Sequence, residues 1–145
     1  QVPGSKSHTI RALLLASLAE GTSYIRNPLP SADCLSASRA VPLMGAKIEL
    51  EKDSVKIGQI WTVQGAGSKI HLPSNIVDVG NSGSLLYFMS PIAATFEGWS
   101  VFTGDESIKT TWSAGIHCGR KKRNLPDAHK RSYKCKQHSK NRRRA

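Results

Sequence analysis

Apolar residues recur along this chain in two rhythms, and the rhythm changes at regular intervals. Ile10, Leu13, Leu14 and Leu18 recur every three or four positions, the spacing of a helix that buries one stripe. Ala12, Ala16 and Ala19 favour the same conformation. Ser7 reads as the N-cap and Gly21 as a left-handed C′ residue, so the pattern predicts a helix from about 7 to 20. Thr22 to Arg26 reads as a short strand that Asn27-Pro28-Leu29-Pro30 ends. Ser31 or Asp33 caps a second helix running towards Met44, with Gly45 behind it; Pro42 removes a donor inside that pattern and points to an end near Val41. Ala46 to Glu51 alternates as a strand does. Ile57 to Val63 reads as its hairpin partner, turning near Lys52-Asp53-Ser54. Ile70 to Leu72 suggests a further short strand. A third helix is expected from near Ser82 through the apolar run Leu85–Ala94, with Gly98 ending it and Trp99 to Thr103 forming another strand. Trp61, Phe88, Trp99 and Phe102 are expected in the core. Repetition of strand–helix units argues for an α/β or α+β fold.

From Trp112 onward both rhythms stop. Ile116 and Leu125 are the only Leu, Ile or Val residues after that point. Such a segment buries too little apolar surface to offset its ordering entropy, so disorder is expected there. The chain therefore divides into a body, 1–111, and a tail, 112–145.

Charge sharpens this division. The 145 residues carry 21 Lys+Arg and 10 Asp+Glu, a net charge of +11. The body holds nine of each sign, so the entire excess lies in the tail. Arg120-Lys121-Lys122-Arg123 and Arg142-Arg143-Arg144 are clusters that bind phosphate backbones without sequence preference. A non-catalytic, basic nucleic-acid-binding protein acting through its tail is thus one functional expectation. Cys118, His129, Cys135 and His138 make a weak zinc pattern, because no Cys-x-x-Cys is present and little apolar support surrounds them. Three cysteines without paired spacing fit a reducing, cytoplasmic compartment. No apolar run approaches the roughly 18 residues that cross a bilayer. Residue 1 is Gln, and no secretory signal pattern follows it; a start inside a longer reading frame is expected.

Two segments hold candidate chemistry. Pro3-Gly4-Ser5-Lys6-Ser7 leads into the first helix, and Gly80-Asn81-Ser82-Gly83-Ser84 leads into the third. A helix start presents unpaired N–H groups and a partial positive charge; glycine lets the backbone approach an anion and serine adds donors. Lys6 adds a full charge. Ser7 and Arg11 lie four residues apart and share one side of the first helix. Together Lys6, Ser7 and Arg11 suit a phosphate or carboxylate, with arginine supplying two-pronged geometry. Ordinary Gly/Ser helix capping is the stronger reading of the second segment and the weaker one of the first, where Arg11 follows. Neither segment is a Walker A loop, and no G-x-G-x-x-G exists. His8 is expected to face solvent and His71 to sit in a loop.

The segment PGSKSHTIRALLLASLAEGTSYIRNPLPSADCLSASRAVPLMGAKIEL resembles the start of the 3-phosphoshikimate 1-carboxyvinyltransferase (EPSP synthase) family. DVGNSGSLLYFMSPIAATFEGWSVFTGDESIKT resembles the family's second conserved stretch. The likeness covers roughly residues 1–110, about a quarter of a typical family chain. The related UDP-N-acetylglucosamine enolpyruvyl transferases typically carry Asn after the motif lysine, where this chain has Ser7. The resemblance implies an inside-out α/β barrel fold, here only in part. It implies transfer of the enolpyruvyl group of phosphoenolpyruvate to shikimate 3-phosphate, by a monomer, with no metal or organic cofactor and no membrane. It implies that Lys6 is catalytic and contacts both substrates, that Ser7 and Arg11 lie on the shikimate phosphate side, and that Asn81, Gly83 and Ser84 meet phosphoenolpyruvate.

Departures from the family pattern are equally concrete. Tyr87 stands where the family usually carries Arg. Gly104-Asp105-Glu106-Ser107-Ile108-Lys109-Thr110-Thr111-Trp112 lacks the usual Arg-Pro pair at its end. Ser31-Ala32-Asp33 replaces Ser-Asp-Asp. The family's proton-transferring carboxylates lie in segments that this chain lacks. An abrupt end to the likeness, followed by the basic tail, leads to the expectation of a shifted reading frame or a gene fragment with little or no activity.

Overall fold

The computed structural model describes residues 4–50, 59–112, 116–120 and 134–137. Helix α1 (Lys6–Leu18) runs into strand β1 (Thr22–Arg26), then α2 (Ala32–Ala40), which tightens into a 3-10 turn over Val41–Met44. Strands β2 (Lys47–Leu50) and β3 (Ile60–Gln64) follow, then a 3-10 turn over Gly67–Lys69, β4 (Val77–Asp78), α3 (Gly83–Ala93), β5 (Gly98–Thr103), α4 (Glu106–Trp112), β6 (Ile116–Arg120) and β7 (Lys134–Gln137). One sheet has the order β1-β3-β2 with antiparallel neighbours. The other has the order β4-β5-β6-β7, with β4 parallel to β5 and the remaining pairs antiparallel.

Both sheets and four helices share one core, α4 through Ile108. Ile10, Leu13 and Leu14 of α1 join Cys34 and Ala37 of α2, Trp61 and Val63 of β3, Leu85, Leu86 and Met89 of α3, and Phe102 of β5. Trp61 is 1% exposed and Val63 is fully buried, two residues apart on the strand between two others. The pleat turns both inward and leaves Ile60, Thr62 and Gln64 further out.

Local chemistry accounts for most of the element boundaries. The Ser31 hydroxyl accepts from the Cys34 amide and starts α2. Pro42 sits in the first turn of the 3-10 segment, where its missing N–H breaks no α-helical bond. Ser82 is fully buried, and its hydroxyl accepts from the Leu85 amide to start α3.

Several expectations are corrected. The cap of α1 is Ser5 rather than Ser7, since the Ser5 carbonyl already accepts the first helical bond, from Thr9. Gly21 is left-handed (φ 83°), but the helix closes at Ala19, so Gly21 comes one position later than C′. Residues 70–72 form no strand; the His71 amide donates to Met44 O and the Ser74 amide to Leu43 O, so this segment lies along the 3-10 turn. Gly98 opens β5 rather than ending α3. Trp99 is 65% exposed and Phe88 37% exposed, so neither belongs to the core. On β5 the pleat turns Ser100 and Phe102 inward and Trp99 outward.

Two strands of the tail also depart from the expected disorder. β6 pairs with β5 from Phe102↔Ile116 to Gly98↔Arg120, and β7 pairs with β6. A sheet edge offers backbone donors and acceptors whatever side chains the added strand carries, so poor apolar content does not prevent such pairing. The Lys52-Asp53-Ser54 turn, the basic residues 121–123 and 142–144, and His129 and His138 lie outside the described residues.

Helix α4 straddles the expected boundary at 111/112, and Asp105 caps it. Its carboxylate accepts from the Ser107 and Ile108 amides and from the Ser107 hydroxyl, the last at 2.6 Å. The Ser107 hydroxyl first, then the Ile108 amide, holds the carboxyl below its ordinary value of 3.8. A lowered folded-state pKa contributes stability that is present above the unfolded value and is lost as pH falls through the folded one. Wild type is therefore expected to lose thermal stability below about pH 4 more steeply than Asp105→Asn. Melting curves between pH 2 and 6 check this, and parallel curves for the two proteins would contradict it.

Candidate functional site

The two Gly/Ser turns meet around the N-terminal half of α2. The first turn feeds α1. There Lys6 is the first helical residue, and its Nζ lies 3.1 Å from the Asp33 carboxylate, near the start of α2. The Asp33 side chain is only 13% exposed, while that of Lys6 is 51% exposed. The cation is thus tethered from below with much of it still facing water. Cys34, one residue on, is buried and donates its thiol to the Lys6 carbonyl at 3.6 Å. α2 thereby holds Lys6 by both its side chain and its backbone.

The second turn rests on the same helix. Gly80 is left-handed (φ 59°), and a Cβ there would sit 2.8 Å from Ser36 Oγ of α2. The Asp78 carboxylate accepts from the Gly80 amide at 2.8 Å, and the Gly80 carbonyl accepts from the Asp105 amide at 2.9 Å. The Val79 amide donates to Thr103 O, which ties the turn to the end of β5. These bonds fix where the N-terminus of α3 points.

Above the core that α1 and α3 share, Arg11 links the two helices at the surface. Its Cζ lies 5.3 Å from the centroid of the Phe88 ring, and the guanidinium is over that ring. Ser7, one turn earlier on α1, is exposed, as is Asn81 in the second turn; Gly83 and Ser84 at the start of α3 are half-buried. The structure thus brings Lys6 to α2 and Arg11 to α3. Ser7, Asn81, Gly83 and Ser84 line the outer surface of the two helix starts.

The glycines in these turns have different jobs. A Cβ at Gly4 would meet Asn27 O at 2.6 Å, so Gly4 permits close packing on the 27–29 backbone rather than approach of an anion. A Cβ at Gly83 would meet nothing within 4 Å, so this position opens onto free space at the head of a helix. Ser82, expected among the donors of the turn, has its hydroxyl spent on the cap and is fully buried. The capping account of the second segment therefore holds for Ser82, while Asn81, Gly83 and Ser84 remain accessible.

Two partners were not legible in the sequence. Asp33 reads there only as a helix cap and Phe88 as core, yet each holds one of the two cations. The family's Ser-Asp-Asp pattern was the one signal pointing at Asp33. His8 and His71 are exposed, as expected. An open cleft of about 300 Å³ runs along the other flank of α1, lined by Gly4, Ser5, His8, Thr9, Arg26 and Pro28 among others; it includes none of Lys6, Ser7, Arg11, Asn81, Gly83 or Ser84. Among the described residues no group of three or more His, Cys, Asp or Glu side chains is placed to hold a metal. No helix among them is long and apolar enough to cross a membrane.

Known proteins carry the same arrangement of sequence. The family model for EPSP synthase (3-phosphoshikimate 1-carboxyvinyltransferase) matches residues 1–110. A 3-phosphoshikimate 1-carboxyvinyltransferase from Acetivibrio thermocellus is 50% identical over 109 residues, which are 75% of this chain and 24% of the relative. One from Methanococcus maripaludis is 45% identical over 108 residues, 74% of this chain and 23% of the relative. The solved EPSP synthase from Acinetobacter baumannii superimposes with a TM-score of 0.64 at 32% identity, over 75% of this chain and 24% of that one. This chain therefore spans about a quarter of the length of the curated relatives it matches. With sequence and fold in agreement over the segment that builds both turns, the chain belongs to the EPSP synthase (3-phosphoshikimate 1-carboxyvinyltransferase) family.

Proposed function

We propose that residues 1–110 form the anion-gripping part of an enolpyruvyl transferase, which moves the enolpyruvyl group of phosphoenolpyruvate to shikimate 3-phosphate and releases phosphate. The observation that carries this reading is the pair of cations, Lys6 and Arg11, held at fixed points beside two helix N-termini. Both substrates are polyanions, and charge shifts as C–O bonds form and break. Preorganised cations and amide dipoles suit that task without reorganising during the reaction. Lys6 serves both substrates and is the catalytic residue. Ser7 and Arg11 take the phosphate of shikimate 3-phosphate. Asn81, Gly83 and Ser84 take phosphoenolpyruvate. The protein works as a cytoplasmic monomer, its body forming part of an inside-out α/β barrel.

Catalysis needs these charges in a water-poor cleft, where each interaction strengthens several-fold. In this chain Lys6 is half exposed, and Ser7, Arg11 and Asn81 face solvent. The 145-residue chain alone is therefore expected to bind anions weakly and to turn over little or not at all. A continuous phosphate-release assay with shikimate 3-phosphate and phosphoenolpyruvate tests this. Absence of release above the uncatalysed background is the expected result, and turnover at the ordinary enzymatic level of about 1–1,000 per second would overturn it.

A further inference from the structure

We infer that Phe88 is a positioning residue for Arg11. Its ring holds the guanidinium on the flank of α3 and so fixes the cation of the first helix beside the donors of the second. This rests on the reading of the two turns as an anion site. Among the described residues Arg11 has no carboxylate within ion-pair distance, and its guanidinium lies over the Phe88 ring, with Cζ 5.3 Å from the centroid. The contrast with Lys6 is chemical. A carboxylate tether neutralises part of the charge it holds, whereas a ring face restrains a flexible cation and leaves its N–H donors for a ligand. Placement supports the same role. Phe88 lies one turn after Ser84 on α3, and Arg11 one turn after Ser7 on α1, so each partner of the contact shares a helix stripe with a candidate donor. The buried stripe of α3 is Leu85, Leu86, Met89 and Ala93. Phe88 stands beside it, 37% exposed, where its ring can meet a side chain of α1.

The test uses the full 145-residue chain labelled with 15N. The Arg11 Nε–Hε resonance is expected to show a ring-current displacement that Phe88→Leu abolishes and Phe88→Trp retains. In titrations with shikimate 3-phosphate, Phe88→Leu is expected to bind roughly two- to fivefold more weakly, as loss of an exposed cation–π contact implies. Phe88→Trp is expected to bind like wild type, and neither change should move the melting temperature enough to explain the difference. Wild-type binding with Phe88→Leu equally tight, or an undisplaced Arg11 resonance, overturns the positioning role and leaves the transferase reading intact. A wild-type chain that does not bind shikimate 3-phosphate overturns that reading and takes the positioning role with it.

Discussion

Gly65→Ala is expected to be the most destabilising glycine-to-alanine change among the described residues. Gly65 follows β3 and passes directly against the end of α1, where its amide donates to Gly21 O and the next amide, of Ala66, donates to Ser17 O. A Cβ at this position would overlap the carbonyl oxygens of Ala16 and Ala19. Both are backbone atoms at the end of a helix whose buried face, Ile10, Leu13 and Leu14, anchors the core. No side-chain rotation relieves such a contact, so either the helix end or the exit of β3 must shift. Overpacking of this kind costs about 1–3 kcal/mol and occasionally more, and the upper end applies where backbone must move. For a domain of this size that corresponds to a fall in melting temperature of roughly 10 °C or more. Thermal unfolding followed by circular dichroism reads it directly. A fall of only a degree or two would mean that the packing of β3 on α1 is looser than described.

Lys6→Met carries the largest expected effect on binding, with a small effect on stability. The Lys6–Asp33 pair is half exposed on the lysine side, and such pairs contribute at most about 1 kcal/mol. The fold should therefore survive, with a melting temperature within a few degrees of wild type. Binding should not. A hydrogen bond from a charged group to an anion is worth about 1.5–3 kcal/mol, so loss of the lysine at the head of α1 predicts roughly 10- to 150-fold weaker binding of shikimate 3-phosphate. Isothermal titration at low ionic strength checks the ratio, and unchanged affinity would remove Lys6 from the site. The separation of the two effects distinguishes a ligand-gripping lysine from one that merely ties α1 to α2.

Much of this organisation was legible because it is local. Ser31 and Ser82 cap the helices that follow them because a hydroxyl two or three residues ahead of an amide needs no tertiary partner to identify it. Lys6, Ser7 and Arg11 fall on the first turns of α1 for the same reason, even though the cap itself is Ser5. What escaped is non-local. Phe88 and Trp99 were expected inside because apolar content says nothing about which side of α3 or β5 a partner covers. Asp33 and Phe88 gain their roles only when α2 and α3 are brought against α1. β4 has two residues, Val77 and Asp78, and is a strand only because β5 lies parallel to it. β6 and β7 follow from the open edge of β5, which their own composition does not announce.

The central claim is that two turns on one side of this fold receive two anionic substrates, shikimate 3-phosphate at the first and phosphoenolpyruvate at the second. Amide chemical-shift mapping during titration of the 15N-labelled chain with shikimate 3-phosphate and then phosphoenolpyruvate tests it most directly. The account predicts saturable shifts concentrated at 5–11 and 80–84 and diminished by Lys6→Met. Shifts confined to the basic residues beyond 112, or none at either turn at millimolar ligand, would contradict it.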